Sequence, residues 1–185
     1  MNESRPYPDQ LVKLSPEVQQ QSGYLFFCGA MNYKKAAAEC CPELLNPIKA
    51  INSNEWVALH DPICNLYCHS IELMLKAFLI AHGVQEAALA RKPYGHDLAT
   101  LMRDARSFGL ELTQDQIESI DHLALSYGKQ PYVFRYPTLG KKNLNFFHLM
   151  LELVEDVAKA TFPMVVRKAR SMGVPVDEAE EAPRD

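Results

Sequence analysis

At 185 residues, with 48% hydrophobic and 23% charged residues, the chain is expected to form one soluble domain large enough to close a hydrophobic core. A net charge of −4 and a pI near 5.9 exclude nucleic-acid binding by bulk charge, though not by a local basic patch. Five cysteines, an odd number with Cys40 and Cys41 adjacent, exclude a disulfide framework.

Residues 1–14 carry Pro6 and Pro8 among polar residues and read as an extended arm. The opening MNESRPYPDQ lacks the basic-then-apolar pattern of a signal peptide, so a cytoplasmic protein is expected. Ser15-Pro16-Glu17 supplies a cap, a first-turn proline and a first-turn acid for a helix running to about Cys40 and ending before Pro42. Tyr24, Phe27, Met31 and Ala38 mark its apolar face. Gly23 and Gly29 either weaken it or let another helix come close. From Pro42 to Pro62 the chain reads as a connector, with one short helical possibility around Ser53 to Leu59 where Trp56 would plug the core.

The stretch from His60 to Gly83 organises the rest. Asp61 is the expected N-cap, Pro62 suits the first turn, and Gly83 is the stop. Ile63, Leu66, Tyr67, Ile71, Leu73, Met74, Leu75, Phe78, Leu79 and Ile80 spread around most of the circumference, the pattern of a buried central helix. Its polar residues gather instead. Asn65, His69, Glu72 and Lys76 fall at i, i+4, i+7 and i+11, on one face. Two readings stay open. The seam is a solvated face with an ordinary Glu72–Lys76 pair worth a few tenths of a kcal/mol, or it borders a groove or a dimer interface, where buried charge demands pairing. The apolar run from Ile71 to Ala81 is broken by Glu72 and Lys76 and is too short to span a bilayer. Cys64 and Cys68 lie one turn apart near His60 and His69, but no second Cys/His pair follows. They are expected to be small core hydrophobes, with no metal bound.

Gln85 to Ala90 accommodates one or two helical turns, and Arg91-Lys92-Pro93-Tyr94-Gly95 is a loop. His96-Asp97 opens a helix with Leu98, Leu101, Met102, Ala105 and Phe108 inside and Gly109 closing it. Thr113 starts another, with Ile117, Ile120, Leu123 and Leu125 inside and Gly128 at its end. Between Lys129 and Lys142, Tyr132, Phe134 and Tyr136 interleave with basic residues that include Arg135. That mixture suits stacking on bases and pairing with phosphates, or else a packed loop capping the core. The last helix begins near Leu144, with Phe146, Phe147, Leu149, Met150, Leu153, Val154 and Val157 inside. Pro163 should kink or interrupt it before a continuation through Met172. Residues 174–185 read as a disordered acidic tail with nothing to bury. With no strand-like alternation, the fold expected is all-α: an up-and-down bundle of four to six helices over residues 15–173.

HSIELMLKAFLIAHG, followed by GHDLATLMRDA, resembles the HEPN superfamily (higher eukaryotes and prokaryotes nucleotide-binding domains) over about residues 60–155. The matching pieces are Glu72-x3-Lys76-Ala77 and Gly95-His96-Asp97-Leu98. The resemblance implies a dimeric four- or five-helix bundle that binds RNA or a nucleotide in a toxin–antitoxin, abortive-infection or other defence system, alongside an antitoxin or other protein partner. Many members are metal-independent ribonucleases carrying Arg, four to six residues, then His. Arg91-KPYG-His96 fits that spacing, with Lys92 and Pro93 departing from the helical, polar context usual after the Arg. By this resemblance His96 would be the acid or base on a ribose 2′-hydroxyl and Arg91 would hold the phosphate. His69, Glu72, Lys76 and Asp97 would line the neighbouring face, and Arg135 and Tyr136 would contact phosphate or base. No cofactor is implied. The alternative is a non-catalytic adaptor in which the seam serves folding and self-association.

Overall fold

Six helices account for most of the described chain: α1 Tyr24–Glu39, α2 Asn54–Ala81, α3 Glu86–Leu89, α4 Leu98–Ser107, α5 Gln114–Tyr127 and α6 Phe147–Ser171. The structure is a computed structural model that describes residue 18 and residues 21–40, 54–128 and 147–176, with the side chains of 54–60 and 147–149 excepted. The expectations placed on residues 1–14, the Ser15 helix start, Trp56, the 129–142 loop and residues 177–185 lie outside the described residues. Among those residues there is no strand, so the all-α expectation holds.

Helix α2 packs against every other helix, while α1 packs on α6 and α4 on α5. The central helix therefore lies between two helix pairs. Its circumference explains this. Ile63, Tyr67, Ile71, Met74, Leu75 and Leu79 are all at most 1% exposed, so no apolar face is left for solvent. The stretch Asp61–Ala81 is, by length and composition, apolar enough to cross a membrane, contrary to the shorter run read from the sequence. Some 78% of an 18-residue window within it is buried inside the bundle, as the core helix of a globular fold would be.

Several local expectations change. Asp61 does not cap α2. The helix starts at Asn54 and passes through Pro62, whose exposed ring leaves room for the carbonyl one turn earlier to tilt outward. Pro163 is likewise exposed and does not interrupt α6. Gly23 breaks the first expected helix, with φ 72°, and a Cβ there would lie 2.4 Å from the Ala77 carbonyl oxygen. Its missing side chain lets the chain meet the backbone of α2 directly. Phe108 and Leu125 are 45% and 56% exposed rather than core. Leu125 follows buried Leu123 by two residues, which on a helix is the opposite side. Phe108 has passed the end of α4 and lies against the His82 ring. Val174, assigned to a tail with nothing to bury, is buried on the core. Cys64 and Cys68 are core residues as expected.

Polar links tie the helices at their edges. Lys34 of α1 pairs with Glu155 of α6, and Gln116 of α5 donates to Asp156 of α6 at 2.6 Å. Gln116 also completes a capping box with Thr113, which sets where α5 begins.

Candidate functional site

The charged half of the polar seam of α2 is not solvated, while Asn65 and His69 are partly exposed. Glu72 is 1% exposed and Lys76 7%, so the solvated-face reading of the sequence is overturned. A buried carboxylate is costly unless its oxygens are filled, and here they are. Lys76 Nζ lies 2.6 Å from Oε1, one helical turn away. The Tyr127 hydroxyl donates to Oε2 at 2.7 Å. His96 Nδ1 stands 2.9 Å from Oε2 and 3.2 Å from Oε1. His69 Nδ1 is 3.6 Å from Oε2, beyond hydrogen-bond range, and bonds the Tyr127 hydroxyl at 3.0 Å instead. Burial by itself would push the Glu72 carboxyl up. The neighbouring His69, the charge and hydrogen bond of Lys76 and the Tyr127 hydroxyl together outweigh it and hold Glu72 well below the usual carboxylate range.

Three segments converge to build this arrangement. Helix α2 places His69, Glu72 and Lys76 on one face by their spacing. Tyr127 arrives at the last residue of α5, on the buried side that also carries Ile120, Leu123 and Ala124. His96 comes from the turn before α4. That turn is held by Asp97 N–H to the Tyr94 carbonyl at 2.7 Å and Gly95 N–H to the Arg91 carbonyl at 2.9 Å. Gly128 pins it from the other side, since a Cβ there would lie 2.3 Å from the His96 carbonyl oxygen. The absence of a side chain at the end of α5 is what allows the His96 backbone to come close. Tyr33 of α1, 39% exposed, meets the His69 ring edge-on with centroids 4.4 Å apart.

The structure thus brings together His69, Glu72, Lys76 and His96, four of the residues read from the sequence. It does not bring Arg91 to them. Arg91 is exposed on the loop, and its side chain makes no hydrogen bond or ion pair among the described residues. The cation at the site is Lys76. Asp97 serves as the N-cap of α4, accepting from Thr100 N–H at 3.1 Å. Arg135 and Tyr136 lie outside the described residues. Sequence reading missed Tyr127, although Ile120, Leu123 and Tyr127 fall at i, i+3 and i+7, a spacing that marks the tyrosine as inward-facing.

Chemically, the arrangement is a buried carboxylate orienting an imidazole that is half exposed, the His96 side chain being 51% accessible. Carboxylate-to-imidazole pairing of this kind fixes the ring and its tautomer and balances the charge it takes up. His69, Glu72 and His96 also offer ligand atoms within 4.8 Å of one another, which a metal ion could span. Lys76 already supplies the positive charge at Oε1, however, and a metal would have to displace the Tyr127 and His96 donors from Oε2. Protein-family models, curated proteins and solved structures were compared with the chain, and none matches it.

Proposed function

We propose that this protein is a HEPN-like bundle that binds RNA and cleaves it without a metal, with His96 as the group that moves the proton. The observation that carries this reading is the 2.9 Å contact between His96 Nδ1 and the buried Glu72 carboxylate. It leaves the opposite nitrogen of a half-exposed ring available for a substrate hydroxyl. The sequence resemblance supplies the substrate class. It also supplies the homodimer and the defence or toxin–antitoxin context that belong to the same proposal, to which a cytoplasmic setting is added. Contact with phosphate or base falls to Arg135 and Tyr136.

The test is RNA cleavage by purified protein in EDTA. Wild type is expected to cleave. His96→Ala should lose about 10²–10⁴-fold in rate, the usual worth of a positioned acid or base, and Glu72→Gln should lose activity as well. A wild-type activity that disappears with chelator would sink the metal-independent reading.

One observation favours a second reading, a non-catalytic adaptor. The Glu72 oxygens are filled by protein groups, as a structural buried charge requires. An adaptor would cleave nothing, and His96→Ala would change its stability or its self-association by light scattering, and nothing else.

A further inference from the structure

Both imidazoles at the site commit the same nitrogen to the protein. His96 Nδ1 meets the Glu72 carboxylate, and His69 Nδ1 meets the Tyr127 hydroxyl. Tyr127 gives its own proton to Glu72, so it can only accept from His69, and His69 carries its proton on Nδ1. A carboxylate can only accept, so His96 does the same. Each neutral ring therefore keeps its lone pair on Nε2, and among the described residues neither Nε2 has a protein partner. The rings stand close together, with their Nδ1 atoms 3.6 and 2.9 Å from the same oxygen. Both are partly open, with side-chain exposures of 26% for His69 and 51% for His96.

We propose that His69 and His96 act as an acid–base pair on a single RNA linkage. This rests on the function proposed above and extends it by making His69 a catalytic residue. His96 Nε2 takes the proton of the ribose 2′-hydroxyl, and the 2′-oxygen forms a bond to the adjacent phosphorus. The bond from phosphorus to the 5′-oxygen breaks, and that oxygen leaves with the proton of protonated His69 Nε2. The products are a 2′,3′-cyclic phosphate and a 5′-hydroxyl, with the two histidines left in exchanged protonation states. No oxidant, metal or water is consumed. Glu72 balances the charge that His96 takes up, while Tyr127, a positioning residue, keeps His69 turned with Nε2 outward.

A pool of short random-sequence RNA, digested in EDTA and sequenced at its new ends, identifies a linkage that wild type cleaves. The same linkage is then made with sulfur in place of the bridging 5′-oxygen, because a thiolate departs without needing a proton. His69→Ala and His96→Ala are each expected to lose about 10²-fold or more on the oxygen linkage. On the sulfur linkage His69→Ala should recover most of its rate and His96→Ala should not. Tyr127→Phe, which keeps the ring and removes the hydroxyl, should show a smaller loss rescued in the same way. A His69→Ala protein that cleaves the oxygen linkage like wild type overturns the pair and leaves the His96 reading standing. Wild type that cleaves nothing in the pool overturns both.

Discussion

Two neighbouring faces of α2 are built in opposite ways. Toward α1, Ser70, Leu73 and Ala77 meet Ala30, Gly29 and Gly23. Closeness there comes from leaving atoms out, and Ser70 simply donates to the Ala30 carbonyl at 2.8 Å. Toward α5 and the His96 turn, His69, Glu72 and Lys76 meet Tyr127 and His96, and closeness comes from satisfying charge. The first face depends on shape and responds gradually to changes of volume. The second depends on complete pairing, where losing one member leaves the others stranded.

Stranding a charge should have the largest effect. Lys76→Met leaves Glu72 buried without its cation and is expected to cost about 3–5 kcal/mol in urea unfolding, whereas Glu72→Met/Lys76→Met should recover much of that loss. A double variant as unstable as the sum of the singles would show that the two residues are not one unit. Acid probes the same face. Because folding depresses the Glu72 pKa from its ordinary 4.5, its stabilisation is fully present above that value and is lost as pH falls below it. Urea midpoints should drop more steeply below that pH for wild type than for Glu72→Gln, and parallel curves would remove Glu72 from the account.

Close-packing substitutions come next. Gly23→Ala and Gly128→Ala each drive a Cβ onto backbone and should cost about 1–3 kcal/mol. They differ in reach. Only Gly128→Ala should shift the His96 imidazole signals in NMR spectra, because only its new atom presses on the His96 carbonyl. The smallest change has the opposite sign. At Gly29 a Cβ would make ordinary contact with Leu73 Cδ1 at 3.6 Å, so Gly29→Ala should gain about 0.5–1 kcal/mol from helix propensity. A loss there would mean the face is tighter than its geometry implies.

The bundle was largely legible because its evidence is local. The all-round apolar pattern of α2, the Thr113 cap and the Gly83 stop are each read within a few residues. Where local rules failed, tertiary context outweighed them: Pro62 and Pro163 sit in helices whose packing tolerates a missing hydrogen bond, and Leu125 took the outer face because Tyr127 and Leu123 took the inner one. Three of the five residues at the site were equally legible, since His69, Glu72 and Lys76 share a face by spacing alone. Periodicity could not say that the face is buried, because that depends on His96 and Tyr127 arriving from distant segments. Nor could it separate Lys76, the cation that docks, from Arg91, whose spacing to His96 is a property of the chain rather than of the fold.

The separation of those partners along the chain has a kinetic consequence. Lys76 can reach Glu72 as soon as a single turn of helix forms, but His96 is 24 residues away and Tyr127 is 55. Until both segments dock, the carboxylate stays hydrated and its desolvation is deferred. The assembled site is therefore expected to form on the far side of the folding barrier. Tyr127→Phe should accelerate unfolding and scarcely slow refolding, in contrast to Ile71→Val in the middle of α2, which should slow refolding. A protein built this way is expected to open its polar centre to water before it gives up its helices.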